Sequence, residues 1–182
     1  MSDPVSVLLV SGSTRSASAG AAALRTAASV APDGVRTELY QRLAELPVFN
    51  PDHDVDPLPP LVADLRGRIA AADAVLFCAP EYAGSLPGAF KNLLDWTVGG
   101  EEMYGKPVAW LTVAPEGRGD GASATLATVL GYLGTVVIEP ALARLPLPST
   151  AIGADGTATD DQFRAGLTEV LRAIQRHVAA SR

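Results

Sequence analysis

An α/β domain, with a parallel sheet covered by helices on both faces, is the fold class this sequence predicts. Two observations predict it. Apolar runs of strand length alternate with stretches of helical periodicity along the chain. Strict alternation of that kind requires crossover connections, and these place the strands parallel with helices on the two faces. The 182 residues, 48% of them apolar, suit one compact domain over 1–182 with a sizeable core.

The elements follow in order. Val5–Val10 is a short apolar run and reads as a buried strand. The alanine-rich stretch from about Gly20 to Val30 is helical and is ended by Pro32-Asp33-Gly34. Val35–Tyr40 alternates as a strand does. Residues 43–60 form a loop with prolines at 47, 51, 57 and 59. Leu61, Leu65 and Ile69 recur at helical spacing, and Asp73–Ala79 is a strand rich in Val, Leu and Phe. Phe90, Leu93, Leu94 and Thr97 mark one helix face, Pro107–Val113 is a strand, and Leu126, Val129, Leu130 and Leu133 mark another helix. Val136–Ile138 is a short fifth strand. Thr159, with Gln162 three residues on, predicts a capping box. It opens a terminal helix whose apolar face is Phe163, Leu167, Val170, Leu171, Ile174 and Val178.

Composition excludes several classes. Net charge is −6 with no basic stretch, which argues against a nucleic-acid surface. The apolar runs are too short to span a membrane. Met1–Pro4 lacks the basic-then-apolar pattern of a signal peptide, so a cytoplasmic protein is the expectation. One cysteine, Cys78, provides no disulfide framework, and His53 and His177 are too scattered for a zinc site. Lysine occurs only at positions 91 and 106, so an anion site must rely on arginine, hydroxyls and backbone N–H groups.

Ligands of such folds bind beyond the carboxyl ends of the strands, at the switch point in strand order. The loops after the first, third and fourth strands, residues 11–19, 80–86 and 114–121, carry the unusual residues. In the first, Ser11, Ser13, Thr14, Ser16 and Ser18 offer hydroxyls and Arg15 a charged fork, just ahead of a helix N-terminus that favours phosphate. A solvated loop with a serine cap is the alternative. In the second, Gly84 permits close backbone approach, Tyr82 supplies an aromatic plane, and Ser85 caps the next helix with Pro87 in its first turn. The alternative there is a segment that merely ends a strand and starts a helix, which leaves Pro80, Glu81 and Tyr82 unexplained. The third, Ala114–Gly121, has glycines at 117, 119 and 121; it serves either a ligand edge or simple flexibility. Cys78 reads as a small buried hydrophobe.

Gly12-Ser13-x-Arg15-x-x-Ser18, with Pro80-Glu81-Tyr82-x-Gly84-Ser85-x-Pro87-Gly88-x-x-Lys91-Asn92-x-x-Asp95-Trp96, resembles the NADPH-dependent FMN reductase family of quinone, chromate and azo-dye reductases. The resemblance covers nearly the whole chain in element order. It implies a flavodoxin-like three-layer sandwich with strand order 2-1-3-4-5, noncovalent FMN, NADPH as reductant, a small-molecule electron acceptor and a homodimer or homotetramer. It implies that Ser13, Arg15 and Ser18 hold the FMN phosphate, and that Pro80, Glu81, Tyr82, Gly84 and Ser85 line the isoalloxazine. Pro115, Glu116 and Gly117, with the loop up to Gly121, border the ring's other side. Gly20 and Ala83 stand where the family usually has Asn, and Ala122 and Ser123 where an arginine is often found. Losing two side-chain hydrogen bonds would weaken FMN roughly ten- to a hundred-fold. Two rival readings remain at this stage: a flavodoxin-like electron carrier that makes no direct use of NADPH, and a degenerate family member acting as a binding protein.

Overall fold

The computed structural model describes residues 3–182. Met1 and Ser2, on which part of the Met1–Pro4 reading rests, lie outside the described residues. The strands are β1 (Val5–Ser11), β2 (Val35–Tyr40), β3 (Ala74–Cys78), β4 (Pro107–Thr112), β5 (Val136–Val137) and β6 (Ala143–Arg144). The helices are α1 (Ala19–Ser29), α2 (Pro60–Ala71), α3 (Gly88–Asp95), α4 (Asp120–Tyr132) and α5 (Asp161–Ser181). All strand pairs are parallel, in the order β2-β1-β3-β4-β5, with β6 also on β4. Leu9 pairs with Leu39 on one side and Leu76 on the other.

Side chains alternate between the two faces of each strand, which divides the core in two. Val5, Val7, Leu9, Leu76 and Leu111 face α1 and α5, whose Leu24, Leu167 and Ile174 are buried with them. Leu8, Val10, Val75, Phe77 and Val108 face α2, α3 and α4, meeting Leu65, Phe90, Leu93 and Leu130. β3 lies at the centre with all five residues buried, which is why it reads as an unbroken apolar run rather than an alternating one. Among the described residues no helix is long and apolar enough to cross a membrane.

Three local expectations are corrected. The fifth strand is two short pieces, β5 and β6, separated by a 3-10 turn at Glu139–Ala141. Pro140 has no N–H and is tolerated only at such an edge. The chain stays against β4 on both sides of the break, through Ile138 N–H to Val108 O at 2.8 Å and Leu145 N–H to Thr112 O at 2.9 Å. The cap of α5 is Asp160, whose Oδ1 accepts from Phe163 N–H at 2.6 Å. Thr159 is not free to cap, because its N–H and hydroxyl both donate to Ala151 O. Ser85 does not cap α3 either: the position before that helix is Pro87, without a side-chain bond, and Ser85 Oγ lies 3.4 Å from Thr125 Oγ1.

The tail of the second motif is scaffold. Trp96 is fully buried and its Nε1 donates to Pro47 O at 2.8 Å. Asn92 accepts from Phe49 N–H at 2.7 Å and donates to Pro47 O at 2.9 Å. Arg66, itself buried, donates to Trp96 O at 2.7 Å and to Asp54 Oδ1 at 2.6 Å. These bonds fasten the proline-rich 43–60 loop to α2 and α3, satisfying backbone groups that the loop cannot pair internally.

Candidate functional site

β1 lies between β2 and β3, so the chain reverses its direction of winding beside β1 and leaves a crevice between the loops after β1 and β3. The phosphate-loop candidate begins with Gly12, whose N–H donates to Cys78 O at 2.9 Å. A Cβ at Gly12 would lie 2.6 Å from the Ala79 Cβ, so only glycine lets the two loops approach this closely. Ser18 then caps α1, its Oγ accepting from Ala21 N–H at 3.1 Å. Within the loop Ser13 Oγ accepts from Arg15 N–H at 3.2 Å, and Arg25 donates to Ser16 O at 3.2 Å and to Gly156 O at 3.0 Å, fixing the loop from behind. The N–H groups of Thr14, Ser16, Ala17, Ala19 and Gly20 have no acceptor among the described residues. Exposed Arg15 makes one side-chain bond, to Ala17 O at 3.3 Å. Unpaired backbone donors, a helix N-terminus, hydroxyls and a guanidinium form the donor set that a phosphate dianion requires.

Gly20 has a packing reason. Its Cβ would meet Cys78 Sγ at 3.1 Å, so α1 lies too close to β3 there to admit a larger side chain without displacement. Cys78 is fully buried, and burial pushes its thiol up to about 12, which keeps it out of thiolate chemistry.

The second loop is a two-residue hairpin. Tyr82 N–H donates to Ser85 O at 3.0 Å and Ser85 N–H to Tyr82 O at 3.1 Å, while Ala83 (φ 51°) and Gly84 (φ 73°) are both left-handed. This is a type I′ turn, for which Asn-Gly is the favoured pair. Position 83 therefore carries a turn requirement that alanine meets only with strain. Glu81 acts across the site. Its Oε2 accepts from the N–H groups of Gly121 at 2.7 Å and Ala122 at 3.1 Å, capping α4 from the loop after β3. The residue before α4, Gly119, has no side chain to do this. A Cβ at Gly121 would lie 2.3 Å from Gly84 O, so glycine there is what brings the two walls together.

The third loop is held by Arg144 on β6. Its Nη1 donates to the carbonyls of Arg118 at 2.6 Å, Pro115 at 3.0 Å and Ala114 at 3.2 Å, and its Nη2 pairs with the Asp120 carboxylate. The three loops enclose a cleft of about 600 Å³, a size typical of small-ligand sites. Ser13, Arg15, Ser18, Gly20, Pro80, Glu81, Tyr82 and Pro115 all line it; Ala83, Gly84, Ser85, Glu116 and Gly117 do not. Ala83 and Gly84 form the turn tip, and Ser85 faces α4. Arg118 and Gly119, from the Gly117–Gly121 loop that the resemblance sets beside the ring, line the cleft too, and Thr112 and Leu147 line it without being expected there. Arg118 has a visible signal, a lone cation between two glycines. Leu147 has none, since it reaches the cleft only because Leu147 N–H bonds Val113 O at 3.0 Å. A larger cavity, about 1020 Å³, lies elsewhere, between α3 with its following loop and α4.

A doubly wound parallel sheet of this order, with a donor-rich loop at the switch point and a cleft beside it, defines a flavodoxin-like domain. The family model described as NADPH-dependent FMN reductase matches residues 5–145, and the chain belongs to that family. It is 36% identical over 179 residues to an NAD(P)H-dependent FMN reductase of Pseudomonas aeruginosa, covering 96% of each chain. It is 30% identical over 165 residues to a quinone reductase of Pseudomonas putida, covering 88% of this chain and 84% of that one. Among solved structures, a flavoenzyme NAD(P)H:(acceptor) oxidoreductase from Paracoccus denitrificans superposes with a TM-score of 0.80 at 30% identity, over 95% of this chain and 98% of that one.

Proposed function

We propose that the cleft seats FMN with its phosphate in the 11–19 loop and its ring between the Pro80–Tyr82 segment and the 115–119 loop. The protein is an NAD(P)H-dependent flavin oxidoreductase. The convergence of three loops around one cleft, one of them carrying five unpaired N–H donors, is the observation that supports the seating. When bound, FMN supplies the redox chemistry, accepting a hydride from NAD(P)H and passing electrons to a quinone, flavin or similar acceptor.

The chain's own residues bind and orient. Arg15, the Ser18 hydroxyl and the α1 N-terminus offset the phosphate charge. Pro80 and Tyr82 wall one side of the ring, and Leu147 with Thr112 closes the floor against water. The Glu81 and Gly119 N–H groups, unpaired among the described residues, are available to the polar edge of the ring, where they favour its more anionic reduced form. No side-chain acid or base is needed.

The single chain acts as one domain in the cytoplasm and pairs with a second copy. The groove between α3 and α4 supports the pairing: Tyr104 is 81% and Tyr132 91% exposed beside Val98, an apolar patch that a lone monomer rarely leaves open. Sedimentation at micromolar concentration is expected to show a dimer; a monomer removes that part of the reading. The activity is tested by anaerobic mixing of NADPH with the FMN-loaded protein. Rapid bleaching of the flavin band is expected. A flavin that stays oxidised would instead support the electron carrier.

A further inference from the structure

Arg118 lines the cleft as its second guanidinium, Arg15 being the other. It is exposed, and its side chain makes no hydrogen bond or ion pair among the described residues. Several other cations are committed elsewhere. Arg144 is spent on Asp120 and three carbonyls, Arg25 holds the 11–19 loop, Lys91 pairs with Asp95 at 2.5 Å, and Lys106 donates to Ala72 O at 2.6 Å. Glu81, the carboxylate on the cleft wall, is turned to the α4 N-terminus.

The backbone around Arg118 is fixed although its side chain is free. Its N–H donates to Pro115 O at 3.2 Å and its carbonyl accepts from Arg144 at 2.6 Å. Gly117 (φ 77°) and Gly119 (φ 87°) flank it in left-handed conformations that other residues rarely adopt. A Cβ at Gly119 would meet Thr112 Cγ2 at 2.8 Å, so this geometry is built in and presses the loop onto the cleft floor. The loop therefore presents one uncommitted cation to the cleft from an anchored backbone.

The chain carries a net charge of −6, and its substrate is a polyanion. With Arg15 assigned to the flavin phosphate, the cleft has one cation left for the phosphates of the reductant. We propose that Arg118 anchors a phosphate of the pyridine dinucleotide, either the pyrophosphate or the ribose 2′-phosphate. This rests on FMN occupying the 11–19 loop as argued above. The planar fork of arginine suits a phosphate contact made in two bonds, which lysine cannot reproduce.

The test is calorimetric titration of FMN-loaded wild type, Arg118→Ala and Arg118→Lys with NADP⁺ and, separately, with NAD⁺, alongside the FMN affinity of each protein. Arg118→Ala is expected to lose roughly tenfold or more in NADP⁺ affinity, with Arg118→Lys intermediate. FMN affinity is expected to fall by much less than NADP⁺ affinity, since the backbone of the 115–119 loop that borders the ring is unchanged. A parallel fall for NAD⁺ places the contact at the pyrophosphate, and an unchanged NAD⁺ affinity places it at the 2′-phosphate; both support the assignment. Unchanged NADP⁺ affinity in Arg118→Ala overturns it, as does a loss of FMN equal to the loss of NADP⁺. Wild type that binds FMN but neither dinucleotide overturns both this assignment and the reductase reading.

Discussion

Replacing Arg15 with alanine is expected to weaken FMN roughly ten- to a hundred-fold and to leave riboflavin affinity unchanged. Charge-assisted hydrogen bonds to phosphate contribute about 1.5–3 kcal/mol, and each 1.4 kcal/mol is about tenfold. Arg15 is the only cation before Leu24 in the sequence. The other arginine near the loop, Arg25, is held by Ser16 O and Gly156 O and cannot take its place. Arg15 itself is exposed and its one side-chain bond stays within the loop, so the substitution removes ligand contacts and little of the fold. Riboflavin lacks the phosphate and is the control. Calorimetric titration with both ligands reads the result. An Arg15→Ala protein that retains wild-type FMN affinity would place the phosphate elsewhere.

The second large effect is expected from Gly121→Ala, and its sign separates two arguments. Gly121 lies in the first turn of α4, where alanine is favoured over glycine by about 1 kcal/mol of helix propensity. Propensity alone predicts stabilisation. The added methyl, however, would lie 2.3 Å from Gly84 O and 3.0 Å from Glu81 Oε2, so the walls of the cleft must separate. Overpacking costs about 1–3 kcal/mol and a lost helix cap about 1 kcal/mol, which leaves a net loss of about 1–3 kcal/mol after the propensity gain. The thermal midpoint should fall by roughly 2–10 °C. FMN affinity should fall with it, because the Glu81 clasp that sets the distance between the 80–85 turn and α4 opens. A variant as stable as wild type, with unchanged flavin affinity, would show that the clasp positions nothing.

The elements legible in the sequence are those set by local periodicity. β1 and β3 announce themselves by buried apolar runs, and α5 by the spacing from Phe163 to Val178. The 11–19 loop is legible too, because hydroxyls, an arginine and a helix start lie together in sequence. What escapes the sequence is set by contacts between distant residues. Glu81 caps α4 from 40 residues away, Arg144 gathers three carbonyls of the 114–118 segment, and Leu147 arrives at the cleft along the β4 edge. Gly20 and Ala83 look like losses of ligand contacts when read as a motif. In the structure Gly20 answers to the closeness of Cys78, and Ala83 to a left-handed turn position. The α5 cap falls at Asp160, one residue after the Thr159 that the spacing predicts, because Thr159 is engaged with Ala151 across the Ile152–Ala158 bridge.

On the proposed seating, the cleft holds a flavin by a terminal phosphate enclosed in the 11–19 loop. Calorimetric titration of flavin-free protein with FMN, FAD and riboflavin tests it most directly. A loop whose N–H groups converge on one terminal phosphate should bind FMN tightest. FAD should bind more weakly, since its phosphate is esterified onward and the chain has no Gly-x-Gly-x-x-Gly fingerprint for a second nucleotide half. Riboflavin, without any phosphate, should also fall below FMN. Equal or tighter binding of FAD, or riboflavin matching FMN, would contradict the account.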